Sequence, residues 1–285
     1  MDIVPTEVLR DILSRCSEYA PVLKETCCAW NEILSEKSVD NVALSFEQMA
    51  ERGHIDLLER VERDKIDDKR ISRILLHAAR GGHLHIMILA NEWGATNYNE
   101  ALTYAAMGGQ ISAMYLLKKW GADDYNWALT SAAKVGQISA MRLLKEWGAN
   151  RYNLSLAMAA TGGQISAMLL LKEWGADDYD WALNDAAEFG QISAMNLARE
   201  WGATKYNLAL ANAAAGGQIS AMNLAREWGA TNYNDALRSA TISGQISAMR
   251  LAKEWGADNY DSVFFYGSRS RCIEIAELLK SWENQ

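Results

Sequence analysis

The residues able to do chemistry are few, and their spacing suits none of the common reactions. Of four histidines, three cluster as His77, His83 and His85. Imidazoles this close suggest a metal, but a zinc site needs further Cys, His or carboxylate ligands at set intervals, and no such pattern completes the set. Cys16, Cys27, Cys28 and Cys272 have neither disulfide nor zinc spacing and read as reduced thiols. Nothing resembles a nucleophile with its base. Histidine is absent beyond residue 85, so most of the chain lacks the usual acid–base group. The expectation is a protein that is not an enzyme, with no catalytic residue, no metal and no cofactor. The remaining chemically notable groups are eleven Trp and eleven Tyr. Exposed indoles stack on sugars, so a carbohydrate platform is one reading of the tryptophans. Packing of repeat against repeat is the preferred one, because aromatic residues at helical spacing usually serve a core.

Charge and composition narrow the partners. The 285 residues carry a formal net charge of -8, and an acidic chain repels phosphate backbones, so no nucleic-acid partner is expected. Ala and Leu dominate over Ile, Val and Phe, which favours helix over sheet. No apolar run is long enough to span a bilayer and no charged-then-apolar leader opens the chain, so no membrane contact is expected and a cytoplasmic location is.

The elements that would position any site follow from a strict period. Trp-Gly pairs at Trp93, Trp120, Trp147, Trp174, Trp201, Trp228 and Trp255 are spaced by 27 residues, and Trp282 falls on the same beat. Such a period predicts a stacked solenoid. In the unit 98–124, Asn99 reads as an N-cap, a role worth about 1 kcal/mol, for a helix over 100–107 with an Ala101, Leu102, Ala105, Ala106 face. Gly109 ends it. A second helix over 110–120 buries Ile111, Ala113, Met114, Leu116, Leu117 and Trp120, and Gly121 closes it. Asn126, Asn153, Asp180, Asn207, Asn234 and Asp261 occupy the Asn99 slot. The Lys-Glu and Arg-Glu pairs before each Trp, such as Lys145-Glu146, read as a solvated face. Diverged units at about 42–70 and 260–285 read as caps.

The unit resembles the ankyrin repeat. The likeness lies in Ala101-Leu102, Ala105-Ala106, Gly109, Leu116-Leu117 and Gly121-Ala122, and in Gly82-His83-Leu84 and Gly53-His54-Ile55. An ankyrin unit has about 33 residues; these have 27, and the shortfall lies where ankyrin units build a hairpin finger. The resemblance therefore implies an all-α, helix-turn-helix solenoid of ankyrin-like repeats lacking hairpin fingers, over 41–285.

Residues 1–40 break the period. Pro5, Glu7, Val8, Leu9, Ile12 and Leu13 suit an amphipathic helix opened by Pro5, and a second helical piece carries Val22, Leu23, Cys27, Trp30 and Leu34. Segments this short cannot make a stable core alone. The run Val4-Pro5-x-Glu7-Val8-Leu9-x-x-Ile12-Leu13, followed by Cys27-x-x-Trp30, resembles an F-box. That resemblance implies docking on a Skp1-type subunit of a cullin–RING ubiquitin ligase through Pro5, Leu9, Ile12 and Leu13. An F-box before an ankyrin-like array is similar to proteins encoded by large DNA viruses, which implies a host cytoplasm or nucleus.

A binding face is sought where the repeat does not repeat. On the first helix the varying series are Glu100, Trp127, Leu154, Trp181, Leu208, Asp235; then Tyr104, Ser131, Met158, Asp185, Asn212, Ser239; then Met107, Lys134, Thr161, Glu188, Ala215, Ile242, with Val135 and Phe189 beside the last row. They lie opposite the Ala-Leu stripe, the side that lines the concave face in ankyrin-like stacks. Tyr104, Trp127, Met158, Trp181, Phe189 and Asn212 are the expected target-binding residues, aromatics being favoured anchors. The predicted function is an adaptor, monomeric on its own, that joins a Skp1-like subunit to an unidentified target protein. The alternative is an ankyrin-like scaffold with no ubiquitin-ligase link.

Overall fold

The computed structural model describes residues 49–53, 55–58, 66–260 and 273–283. The expected Skp1 contacts Pro5, Leu9, Ile12 and Leu13, and all four cysteines, lie outside the described residues. The chain divides into two compact units, Met1–Ala128 and Leu129–Gln285. The first contains α1 (Ile55–Leu58), α2 (Asp68–Gly81), α3 (Leu84–Glu92), α4 (Tyr98–Met107) and α5 (Ile111–Lys119), and the division falls within α6 (Tyr125–Val135). The second continues with α7 (Ile138–Glu146), α8 (Tyr152–Thr161), α9 (Ile165–Glu173), α10 (Tyr179–Glu188), α11 (Ile192–Glu200), α12 (Tyr206–Ala215), α13 (Ile219–Glu227), α14 (Tyr233–Ile242), α15 (Ile246–Glu254) and α16 (Ile273–Glu283). Each unit is a run of helix-turn-helix repeats, an all-α solenoid order, with no strand among the described residues. Residues 120–124 alone join α5 to α6, which leaves no room for a finger.

The core is made by the invariant part of the repeat. Within each unit first helices pack on their own second helices and on the first helix of the next repeat, as α2 does on α3 and α4, and α10 on α11 and α12. Small side chains permit this close approach: Ala101, Ala105 and Ala106 of α4 are fully buried, as are Ala113, Met114 and Leu117 of α5. Ile111, Leu116 and Trp120 are only half-buried.

The Trp-Gly-Ala beat is the end of the second helix. Trp120 is the C-cap; the N–H of Gly121 reaches the carbonyl of Lys118 and that of Ala122 reaches Leu117, both at 3.0 Å. This paired arrangement satisfies carbonyls that the helix end leaves open. Gly121 has φ 104 and open space around it, so backbone conformation alone calls for glycine there.

The Asn99 series is not the N-cap. The first helix starts two residues earlier than predicted, at Tyr98, with Asn97 before it. True capping is done by Asp124, Asp178 and Asn232, whose side chains accept from the N–H of Trp127, Trp181 and Asp235. Asn99 is turned instead toward the next turn of the array. Its Oδ1 accepts from the N–H of Asp123 at 2.7 Å and of Asp124 at 3.0 Å, and its Nδ2 donates to Asp123 Oδ1. Asn153 makes the same three bonds to Asp177 and Asp178, and Asn234 to Asp258 and Asn259. The slot is therefore a clasp between successive repeats. The sequence places the residue near a helix start, and only the stacking shows that its partners are 24 and 25 positions away.

Candidate functional site

The variable positions of the first helices lie three and four residues apart and so share a face. In the first unit Tyr104 is half-buried and its ring meets His77 edge-on at 6.0 Å, while Trp127 is 55% exposed. In the second unit Met158 of α8 and Asn212 of α12 are half-buried. Trp181 at the start of α10 and Phe189 at its end are 39% and 51% exposed. Leu208 of α12 and Ile242 of α14 are exposed as well. Trp181, Phe189, Leu208 and Ile242 thus leave large apolar side chains in water on successive first helices, which carries a solvation cost unless a partner covers them.

The position of Phe189 is sterically closed to a side chain in the repeats on either side. Gly162 and Gly216 have ordinary helical φ values of -82 and -77, yet a Cβ on either would overlap the backbone carbonyl of Lys134 or Glu188 in the preceding repeat. The intervening repeats place Val135, Phe189 and Ser243 at the same position, all exposed. The repeat therefore alternates, with a tight contact in one unit and a projecting side chain in the next. The alternation is written in the sequence as Gly108, Val135, Gly162, Phe189, Gly216, Ser243 and was legible there, but its cause is a contact between repeats.

The same face is acidic. Asp185 is half-buried between these apolar groups, and burial, reinforced by the nearby Glu188 carboxylate, raises its pKa to about 6, although a hydrogen bond from Thr161 opposes the shift. Asp235 is joined to Arg238 at 3.2 Å, and Asp180 to Lys205 at 3.8 Å.

Two further rows complete the surface. The Trp ladder is neither core nor open platform. Trp174 stacks at a tilt on Tyr152 with ring centres 5.7 Å apart, and Trp201 on Tyr179 at 5.4 Å. The residue expected to be merely solvated lies over these rings: Lys145 Nζ is 4.6 Å from the Trp174 ring centre, and Lys172 Nζ 4.5 Å from that of Trp201. Each cation comes from the preceding repeat, so the ladder braces the stack by cation–π contact. A second variable row, missed in the sequence, is the most variable position of the second helix: Ile88, Tyr115, Arg142, Leu169, Asn196, Asn223 and Arg250, exposed in every case. Its signal was the one changing residue inside Ile-Ser-Ala-Met-x-Leu.

His77 and His83 are held by Glu51. His83 Nε2 donates to the Glu51 carbonyl at 2.8 Å and His77 Nδ1 lies 3.2 Å from the Glu51 carboxylate. His83 occupies the place that Gln110 takes one repeat later, its ring seated on Gly53. No group of three or more potential metal ligands occurs among the described residues, and no helix among them is long and apolar enough to cross a membrane.

Among solved structures the chain is similar to the ankyrin repeat domain of human ASB11. The identity is 23% and the TM-score 0.43, over 56% of this chain and 84% of that one. No protein-family model matches the sequence, and no curated protein does.

Proposed function

We propose that the protein is a non-enzymatic, cytoplasmic adaptor whose repeat array holds a target protein on the variable face of its first helices. The observation that carries this is the set of large apolar side chains, Trp181, Phe189, Leu208 and Ile242, exposed at positions that the packing of the repeat leaves free. With Asp185 and Glu188 among them and no basic residue on α10, the face in the second unit suits a partner that is apolar and basic. The F-box-like residues Pro5, Leu9, Ile12 and Leu13 would dock a Skp1-type subunit and so bring the target to a ubiquitin ligase, a role resting on the sequence resemblance.

Co-purification tests the two ends separately. The intact chain is expected to retain Skp1, and a Pro5→Ala, Leu9→Ala, Ile12→Ala variant to lose it. Equal binding by both would refute the ligase link. Trp181→Ala with Phe189→Ala is expected to lose the proteins captured by the intact chain while keeping Skp1. Unchanged capture would refute the assignment of the face.

A further inference from the structure

Five Tyr-Trp pairs of the ladder each hold a cation from the preceding repeat. Lys145, Lys172, Arg199, Arg226 and Lys253 lie 4.5 to 4.9 Å from the ring centres of Trp174, Trp201, Trp228, Trp255 and Trp282 in turn. The corresponding Tyr partners stand 5.4 to 5.8 Å from the same indoles. In the first unit Tyr98 and Trp120 form the same pair, 5.6 Å apart and tilted by 46°. The residue one period before Lys118, which in register should supply the cation, is Asn91. Asn91 is neutral and accepts from the Tyr98 hydroxyl at 2.6 Å. Lys118 itself lies over Tyr125, in the following repeat. Among the described residues, no cation lies over the Trp120 ring.

We propose that the Tyr98–Trp120 pair is a binding seat for a cationic side chain, an ammonium or guanidinium, supplied by a partner protein. The attraction is that of a positive charge for the negative face of an aromatic ring, and the molecule uses it internally at five equivalent pairs. Both rings are half-buried, hence still reachable from solvent. A net charge of -8 favours the approach of a basic group. One feature sets the strength: Lys119 stands before Trp120 where later repeats carry Glu146, Glu173, Glu200, Glu227 and Glu254, and its charge opposes an incoming cation. The seat is formed at the turn between repeats, by the first residue of α4 and the cap of α5, so it stands whether or not the variable face binds a target.

The test titrates the full-length chain with N-acetyl-arginine amide at constant ionic strength and follows indole N–H resonances, with Trp120 assigned by Trp120→Phe. N-acetyl-citrulline amide, the neutral isostere, is the control. The shift of Trp120 per unit of ligand is expected to exceed that of Trp174, whose seat holds Lys145, by about threefold or more. Citrulline should not reproduce it. Asn91→Lys should abolish the response by filling the seat, and Lys119→Glu should increase it. The reciprocal variant Lys145→Asn should open the seat at Trp174 and transfer the response there, so the outcome does not depend on whether Asn91→Lys folds. Equal shifts at Trp120 and Trp174, an equal response to citrulline, or no response at Trp174 in Lys145→Asn would overturn the proposal.

Discussion

Substituting Asn153 by Asp should destabilise the array by about 2 kcal/mol, and the neighbouring repeat shows why. Asn153 accepts from the N–H groups of Asp177 and Asp178 at 2.8 and 3.1 Å and donates to Asp177 Oδ1 at 3.0 Å. The change to Asp keeps both acceptor bonds. It removes the donated one, worth about 1 kcal/mol net, and sets two carboxylates together at a cost of roughly 1 kcal/mol in water. The array already holds an Asp in this slot. Asp180 accepts the equivalent N–H groups at 2.7 and 3.0 Å, but its partners are Thr204 and Lys205, and Lys205 Nζ lies 3.8 Å from Asp180 Oδ2. The clasp thus has three observed pairings, Asn with Asp, Asp with Thr and Asn with Thr. Asp177→Thr alone should cost less than about 1 kcal/mol, since Asn207 pairs with Thr231 in the same way. Combined with Asn153→Asp it should recover about 1 kcal/mol as a coupling energy. The assay is urea unfolding of the four chains, with hydrogen exchange at the Asp177 and Asp178 amides as a local readout, because repeat arrays can open piecewise. A coupling energy indistinguishable from zero, or a neutral Asn153→Asp, would refute the clasp.

Three other substitutions test the packing and the charge. Gly162→Ala should destabilise by about 1–3 kcal/mol through overlap with the Lys134 carbonyl, against the roughly 1 kcal/mol that helix propensity alone would return; thermal denaturation that rises instead would remove the steric basis of the alternation. Asn184 is buried with its Oδ1 unpaired, and Ala occupies the same position at Ala157 and Ala211, so Asn184→Ala should stabilise by about 1 kcal/mol in a urea titration. The folded pKa of Asp185 is raised to about 6 from the ordinary carboxylate value of 3.8, so the native state holds its proton longer than the unfolded chain and stability declines as pH rises between about 4 and 6. Asp185→Asn should therefore raise the midpoint of unfolding at pH 7 and leave it unchanged at pH 3.5; the same gain at both pH values would contradict the titration of this group.

Period, class and the C-terminal ends of the helices were determined by the sequence alone. A 27-residue beat with Ala, Leu and Met at helical spacing admits one arrangement of two helices per unit, because one unit cannot bury its apolar stripe without the next. Glycine at positions such as Gly121 is a local conformational requirement and can be read without any tertiary contact. The first-helix variable row was also legible, since identical packing would have demanded identical residues. Tertiary structure decided what depends on the neighbouring repeat. Asn99 looks like an N-cap from its place beside a helix start, and becomes a clasp only when residues 123 and 124 arrive. Lys145 looks like a solvated charge until Trp174 is stacked beneath it. Gly162 looks like a weak helix residue until the Lys134 carbonyl occupies the space of its missing side chain. Local pattern reports torsion preference and burial within a helix turn, whereas these three roles are set by distances between atoms more than twenty residues apart in the chain, which exist only once the repeats are stacked.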